Sequence, residues 1–301
     1  MKNKEPIIIN NISDLSKLMG YAESRHPLID IIEFVPGKNR GTPDGRPVVS
    51  NLYCIAIKKN ITGTVRYGYR QYDFNKGLMT FSAPGQIYSF EEQPDISGMT
   101  GWFLVFHPDF IRKYPLSKAI SKYGFFSYQT NEALHISEEE EIMIDGIFGN
   151  INKEYQRPID KHSQGIIVSQ IDVLLNYADR FYNRQFITRQ IVESDTLTRF
   201  ENILTEYFNS ESNTFPAVND MASQLNVSVH YLNDMLRTLT GRTTQQHIHD
   251  CLIEKAKVLL STTELTINEI AYSLGFEYPQ YFTRLFKNKT GISPIAFRNN
   301  N

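Results

Sequence analysis

Two stretches near the C-terminal end place hydrogen-bonding side chains on one face of a predicted helix and apolar side chains on the other. The apolar residues are Leu232, Met235 and Leu236 in residues 228–240, and Phe282, Leu285 and Phe286 in residues 279–290. The polar residues left exposed are His230, Asn233, Asp234, Arg237, Gln280, Thr283, Arg284 and Lys287. The amides of Asn233 and Gln280 can each form two hydrogen bonds with adenine, and the guanidinium of Arg284 can do so with guanine. These residue types therefore suit the reading of base edges.

Each stretch follows a shorter predicted helix and a tight turn, so the same arrangement occurs twice. The shorter helices contain Ala222 and Ala271, which allow two helices to cross closely. Asn226 and Gly275 then suit a left-handed backbone position in the turn. The repeat predicts two helix-turn-helix units, joined by a helix over residues 243–260 that is about 27 Å long. Because successive major-groove faces lie about 34 Å apart, such units could reach adjacent turns of one duplex.

The last third of the chain resembles the AraC/XylS family of transcription regulators. The stretch that carries the resemblance is Lys255–Arg298, KAKVLLSTTELTINEIAYSLGFEYPQYFTRLFKNKTGISPIAFR. The residues at matching spacing are Ile270, Ala271, Gly275, Phe276, Tyr281, Phe282, Arg284, Phe286, Lys287, Gly291, Ser293, Pro294 and Arg298. A string of this length is a specific signal, and the resemblance covers about residues 195–301. The front of the chain is similar, more loosely, to the cupin-type sensor domains found in that family.

This resemblance implies a sequence-specific regulator, an activator acting with RNA polymerase, that binds double-stranded DNA through two recognition helices. The residues that it places near DNA are Ser228, Val229, His230, Asn233, Asp234, Arg237, Pro279, Gln280, Tyr281, Thr283, Arg284 and Lys287. Two positions depart from the family pattern. Asp234 stands where arginine is common, and its carboxylate repels phosphate; Pro279 stands where a hydrogen-bonding residue is often found. Whether the first unit reads bases is therefore left open.

The overall charge does not itself indicate nucleic-acid binding. The chain of 301 residues has a net charge of −2, and residues 191–301 hold nine basic against twelve acidic side chains. A DNA-binding domain is expected to show a basic surface. Residues 276–301 supply one, because four basic residues there (Arg284, Lys287, Lys289 and Arg298) face a single acid, Glu277.

Composition indicates a cytoplasmic protein with two domains. An apolar fraction of 41% and a charged fraction of 21% are typical of globular chains. Cys54 and Cys251 lie far apart and outside any metal-binding spacing, so we expect free thiols in a reducing compartment. The apolar runs are too short to span a membrane, and neither a membrane partner nor a signal peptide is expected.

The front domain is expected over residues 1–185, with a linker over 186–194 and the DNA-binding domain over 195–301. Short β-branched runs separated by Gly, Pro and Asn predict a barrel or sandwich up to about residue 130. A helical pair follows over about 137–183, with Ser137 as its first cap. The apolar residues predicted to face inward from its first helix are Ile142, Ile144, Ile147, Phe148 and Ile151. The fold class is therefore α+β, and the pair either covers the sheet or forms a homodimer seam.

Aromatic and basic side chains in the front domain could hold a small-molecule effector, although core packing explains most of them as well. The candidates are Tyr53, Arg66, Tyr69, Tyr72, Phe81, Tyr88 and Trp102. Residues 68–92 contain no histidine, and no nucleophile, phosphate-binding or dinucleotide motif occurs, so we expect no enzyme, metal or cofactor. Two hypotheses remain: a regulator that responds to an effector or partner, and a constitutive DNA binder whose front domain serves only for dimerisation or protein interaction.

Overall fold

A computed structural model describes residues 6–37, 48–60, 66–67, 70–71, 77–88, 97–129, 132–188, 190–209 and 217–299. The chain divides into two compact units, Met1–Gln185 and Phe186–Asn301. The first combines β-sheets with helices and the second is helical, so the structure is α+β as predicted. In the part of the chain described, no helix is long and apolar enough to cross a membrane.

The described strands of the first unit form three separate sheets. They are β1 (Ile7–Ile9), β2 (Ile29–Phe34), β3 (Val48–Ser50), β4 (Tyr53–Lys59), β5 (Arg66–Tyr67), β6 (Arg70–Gln71), β7 (Leu78–Ser82), β8 (Gln86–Tyr88), β9 (Thr100–Phe106) and β10 (Leu134–His135). The largest sheet has the order β10-β7-β4-β9-β2 and is antiparallel throughout; β1-β3-β8 and β5-β6 form the others. Among the described residues no sheet closes on itself, so the cupin-like barrel stays a prediction.

The two faces of the five-stranded sheet have different coverings. On one face Trp102 stacks on Phe148, which lies on the first helix of the predicted pair, with ring centroids 6.2 Å apart. On the other face Val105 packs in a cluster with Ile9, Ile12 and Leu52, and residues of a short helix complete it. Because strand side chains alternate between faces, both apolar sets of β9 are removed from water.

The helices of the first unit are α1 (Ile12–Met19), α2 (Pro108–Ile111), α3 (Leu116–Ala119), α4 (Glu138–Gln156) and the start of α5 (Ser163–Thr188). Ser137 caps α4 as predicted, in a capping box with Glu140. The Glu140 carboxylate also accepts two hydrogen bonds from Arg184 of α5, at 2.7 and 2.9 Å. One prediction is wrong: Ile142 is 74% exposed, because it lies off the face that buries Ile144.

In the described residues of the second unit, the end of α5 is followed by seven further helices. They are α6 (Gln190–Asn209), α7 (Val218–Leu225), α8 (Val229–Thr240), α9 (Thr244–Thr262), α10 (Ile267–Ser273), α11 (Pro279–Thr290) and α12 (Pro294–Asn299). The segment predicted as a linker, 186–194, is helical on both sides of residue 189, and its role as a linker stays a prediction. It contains neither glycine nor proline, so nothing in its sequence interrupts a helix.

Candidate nucleic-acid interface

The first helix-turn-helix consists of α7 and α8. Ala222 of α7 is buried, and Asn226 adopts the predicted left-handed conformation at φ 55°. Ser228 then caps α8, since its hydroxyl accepts a hydrogen bond from the backbone N–H of Tyr231 at 3.1 Å. The inner face of α8 is buried through Leu232, Met235 and Leu236, as predicted. These contacts fix the direction in which the outer face of α8 points.

The second helix-turn-helix, α10 and α11, repeats this plan with a longer turn. Ala271 is fully buried, and Gly275 is left-handed at φ 85°. Phe282 and Phe286 are fully buried under α11, whereas Leu285 is only half-buried. Pro279 occupies the first helical turn, where a missing backbone N–H costs no hydrogen bond. Proline is thus explained structurally at a position where the resemblance led us to expect a polar contact.

Asp234 and Arg284 occupy equivalent positions in the two units. Counting from the helix caps Ser228 and Tyr278, each lies six residues into the recognition helix. The buried residues Leu232 and Phe282 correspond in the same count. The two units therefore present opposite charges at the same point.

Helix α9 connects the two helix-turn-helix repeats, and two ion pairs bind it to both. Its N-terminus is closed by a capping box of Thr243 and Gln246. Asp250, near the middle of α9, accepts hydrogen bonds from Arg242 at 2.8 Å and from Lys289 at 2.7 Å. Arg242 follows α8 and Lys289 lies in the last turn of α11, so one carboxylate contacts both units.

The candidate DNA-contacting residues are brought to two outer helix faces. Those exposed to solvent are His230, Arg237, Gln280, Tyr281, Arg284 and Lys287. Those half-buried are Ser228, Val229, Asn233, Asp234, Pro279 and Thr283. Their contact with DNA stays a prediction, although every one of them has some surface open to solvent.

An open groove of about 740 Å³ lies along the second helix-turn-helix. Its lining residues are Asn268, Tyr272, Pro279, Gln280, Thr283, Arg284 and Lys287. Five of these were predicted from the sequence, whereas Asn268 and Tyr272 of α10 were not. Their spacing of four residues on the side opposite Ile270 and Ala271 could have identified them, because it places both on the outer face of α10.

The basic side chains of the second helix-turn-helix and of α12 differ in whether they already bind another group of the protein. Arg284 and Lys287 form no ion pair with any residue that the structure describes. Lys289 is bound to Asp250, and the Arg298 guanidinium donates to the backbone oxygen of Leu260 at 3.2 Å. Among the described residues of this helix-turn-helix, the cations available to an anionic partner are therefore the two that line the groove.

Two histidines of α9 lie behind this surface. His247 Nε2 is 2.8 Å from Thr240 Oγ1 at the end of α8, which ties α9 to that helix. Burial, followed by the charge of Arg242, lowers the pKa of His247; burial, followed by Lys289, lowers that of His249. Both rings are thus held toward the neutral form.

The candidate effector residues of the first unit are only partly described. Tyr69 and Tyr72 lie outside the described residues, and Arg66 and Tyr88 are described only as backbone in β5 and β8. Tyr53 stacks on Phe106 at 5.2 Å, and Phe81 lies 4.5 Å from Phe125. These rings, with Trp102 on Phe148, contact other core rings, and an effector pocket built from them stays a prediction. No group of three or more metal-binding side chains converges within the described part of the chain.

Comparison with known proteins finds similarity to transcription regulators. The family described as "Helix-turn-helix domain" matches residues 221–300. The Msm operon regulatory protein of Streptococcus mutans is 31% identical over 115 residues, which cover 38% of this chain and 41% of that relative. The chain thus spans less than half the length of that curated relative. The arabinose operon regulatory protein of Salmonella typhimurium is 23% identical over 84% of this chain and 85% of its own.

A solved structure also matches the last third of the chain. The C-terminal domain of the response regulator yesN from Fusobacterium nucleatum is 33% identical, over 33% of this chain and 93% of its own, with a TM-score of 0.30. The helix-turn-helix match at residues 221–300 coincides with helices α7 to α12, which carry the groove. Residues 221–300 thus match a helix-turn-helix domain at the C-terminal end, and the chain is similar to DNA-binding transcription regulators of the AraC type.

Proposed function

We propose that the chain binds specific DNA sites in the cytoplasm through α8 and α11, and that it activates transcription there together with RNA polymerase. The observation that carries this proposal is the groove beside α11. It presents one amide, one hydroxyl and two cations that form no ion pair within the described residues (Gln280, Thr283, Arg284 and Lys287), on a helix anchored by two buried phenylalanines. Amide and guanidinium groups read base edges, and lysine contacts phosphate.

The length of α9 supports binding across two turns of one duplex. Its 19 residues correspond to about 28 Å of helix. Successive major-groove faces lie about 34 Å apart, and modest bending of DNA makes up such a difference. In this arrangement α8 and α11 enter neighbouring grooves on the same side of the duplex.

The two helices contribute unequally in this proposal. On α11, Arg284 pairs with a guanine and Gln280 with an adenine, while Thr283 and Lys287 complete the contact. On α8, His230 and Asn233 face bases, Ser228, Val229 and Arg237 lie near the backbone, and Asp234 weakens the attraction to phosphate. A carboxylate can accept only from groups such as the cytosine amine, which limits what this helix recognises.

For the first unit we propose response to a small molecule or partner that alters DNA binding. The similarity to the arabinose operon regulatory protein supports this role, because it covers 84% of the chain and therefore extends into the first unit. The ring contacts of Tyr53, Phe81 and Trp102 favour a second candidate, in which this unit only dimerises or binds a protein. The helices over about 138–183 would then form the homodimer seam.

Capture of genomic fragments by the full-length protein at about 150 mM salt tests the DNA-binding proposal. We expect enrichment of a bipartite site that spans about two helical turns. The matched control is a protein carrying Arg284→Ala, for which we expect specific binding weaker by about 1–3 kcal/mol. Equal enrichment of all fragments by the wild-type protein would contradict the proposal.

A thermal-shift screen of the full-length protein separates the two candidates for the first unit. A small molecule at free concentration c that binds the folded state stabilises it by RT ln(1 + c/Kd), so the melting temperature rises with the logarithm of its concentration above Kd. We expect a sugar or small-acid panel to contain such a compound if the unit is a sensor. A melting temperature that depends only on protein concentration would support dimerisation instead.

A further inference from the structure

Three exposed side chains form a cluster along the outer side of α11. The guanidinium carbon of Arg284 lies 5.4 Å from the ring centre of Tyr281. Tyr278, the residue that precedes the helix, meets the Tyr281 ring edge-on, with centroids 5.8 Å apart and planes at 83°. Both tyrosines remain 49% exposed. Such exposure is unusual for aromatic rings that only fill a core, so core packing does not explain why these two tyrosines lie there.

The geometry of a guanidinium allows it to stack and to read a base at the same time. A guanidinium can place its flat face over an aromatic ring while its N–H donors point outward in the plane of the group. The pairing with guanine O6 and N7 uses those in-plane donors. Because Tyr281 and Arg284 are three residues apart on a helix, their side chains lie on the same face.

An arginine held in this way loses less conformational freedom when it binds. A free arginine side chain samples many rotamers, and fixing it on a base edge costs entropy. The Tyr281 ring restricts Arg284 before DNA arrives, and Tyr278 in turn restricts the ring. Part of the ordering is therefore already complete in the free protein.

The first helix-turn-helix provides an internal comparison. The residue equivalent to Tyr281 is Tyr231, which is buried and lies edge-on to Phe186 at 5.1 Å. The residue equivalent to Arg284 is Asp234, which is not a cation. The cluster of Tyr278, Tyr281 and Arg284 is therefore a feature of the second helix-turn-helix and not of both repeats.

We propose that Tyr281 is a positioning residue that sets the base specificity of Arg284 by holding its guanidinium in the groove. This inference rests on the proposed function, since it assumes that Arg284 reads a base. It assigns to the Tyr281 ring, and not to its hydroxyl, a part in the preference for one base pair. Tyr278 supports the ring from outside the recognition helix.

The test uses full-length protein and the DNA site obtained by selection, with every base pair of the site varied in turn. Competition binding gives the preference at each base pair for the wild type, Tyr281→Phe, Tyr281→Leu, Arg284→Ala and the double variant Tyr281→Leu/Arg284→Ala. Far-ultraviolet circular dichroism and melting temperature show that each variant is folded, which we expect because both side chains are exposed.

We expect Tyr281→Phe to keep the wild-type preference at the base pair read by Arg284, since it keeps the ring. Tyr281→Leu should lower the preference about two- to fivefold at the base pair read by Arg284, and at no other base pair. In the Arg284→Ala background the same change should have no effect. A Tyr281→Phe protein as impaired as Tyr281→Leu would overturn the inference, since the hydroxyl would then be the active group.

An equal loss across all base pairs with Tyr281→Leu would also overturn the inference and leave the proposed function intact. It would mean that Tyr281 contributes to affinity without positioning Arg284. A wild-type protein with no preference at any base pair would overturn the proposed function, and this inference with it. The two failures are distinguished by the wild-type measurement alone.

Discussion

The carboxylate of Asp250 and the ammonium of Lys289 are 2.7 Å apart, although the two residues are separated by 39 positions in the sequence. The same carboxylate binds Arg242 at 2.8 Å. Two cations next to the recognition helices are thus partly neutralised by an acid of α9. These ion pairs stabilise the arrangement of the two helix-turn-helix repeats. They also reduce the positive charge that the repeats present to DNA.

Replacing Asp250 with asparagine should therefore increase affinity for any DNA duplex. The change frees Arg242 and Lys289 and removes a negative charge, so more counterions are released on binding. We expect tighter binding at low salt, a steeper dependence of affinity on salt, and a stability loss of about 0–1 kcal/mol. Titration of a specific and a mixed-sequence duplex at several salt concentrations measures both effects.

Glu254→Gln is the matched control for that experiment. It removes the same charge from the same helix, but Glu254 pairs with Lys257 on α9 itself, at 2.7 Å. A salt dependence that changes equally in the two variants would show that the effect comes from net charge and not from the two released cations.

The opposite charges of Asp234 and Arg284 lead to a second prediction. Asp234→Asn retains the size and hydrogen-bonding capacity of the side chain but removes its repulsion of phosphate. We expect higher affinity for the selected site, with the gain diminishing as salt is raised. Asp220→Asn, an exposed acid of α7 that precedes the recognition helix, serves as the control. Equal gains in both variants would argue that α8 does not approach DNA.

The histidines of α9 predict a loss of stability at acid pH. The pKa of His247 and that of His249 are lower in the folded protein than the ordinary value of about 6.5. The unfolded chain therefore binds protons first, and stability that is complete above pH 6.5 is lost as the pH falls below it. Urea unfolding between pH 5 and 8 should show this slope, and His247→Gln/His249→Gln should reduce it. A slope unchanged in that variant would assign the loss to other groups.

The two free cysteines should react slowly with thiol reagents. Burial raises the pKa of the Cys54 thiol to about 11 and also raises that of Cys251. Since the thiolate is the reactive form, a disulfide reagent at pH 8 should modify Cys54 only on unfolding and Cys251 slowly. Comparing Cys54→Ser with Cys251→Ser assigns each phase. Rapid reaction of two thiols in the native protein would contradict this prediction.

Local sequence signals were sufficient for the helix-turn-helix units. Ser228, Asn226 and Gly275 mark helix ends through their own backbone preferences, and Phe282 and Phe286 mark an inner face by spacing. These signals depend on residues within one or two turns of each other. The bounds predicted for α11, 279–290, are confirmed for this reason.

Features that depend on distant residues could not be predicted in this way. The contact between Asp250 and Lys289 and the sheet order β10-β7-β4-β9-β2 join segments far apart in the chain. Helix α1 was missed as well, although Asn11 caps it and Gly20 ends it at φ 65°. Its eight residues are too few for apolar spacing alone to distinguish a helix from a loop.

The fixed length of helix α9 also limits which spacings between the two halves of a DNA site are tolerated. Its 19 residues form a continuous helix, capped at its start and tied to both units by Asp250, so its length is fixed. A single inserted base pair between the two halves of a site would turn one half by about 35° around the duplex axis, as expected for 10–10.5 base pairs per turn. An insertion in a promoter would therefore be as damaging as the loss of a recognised base, although every contacted base remained intact.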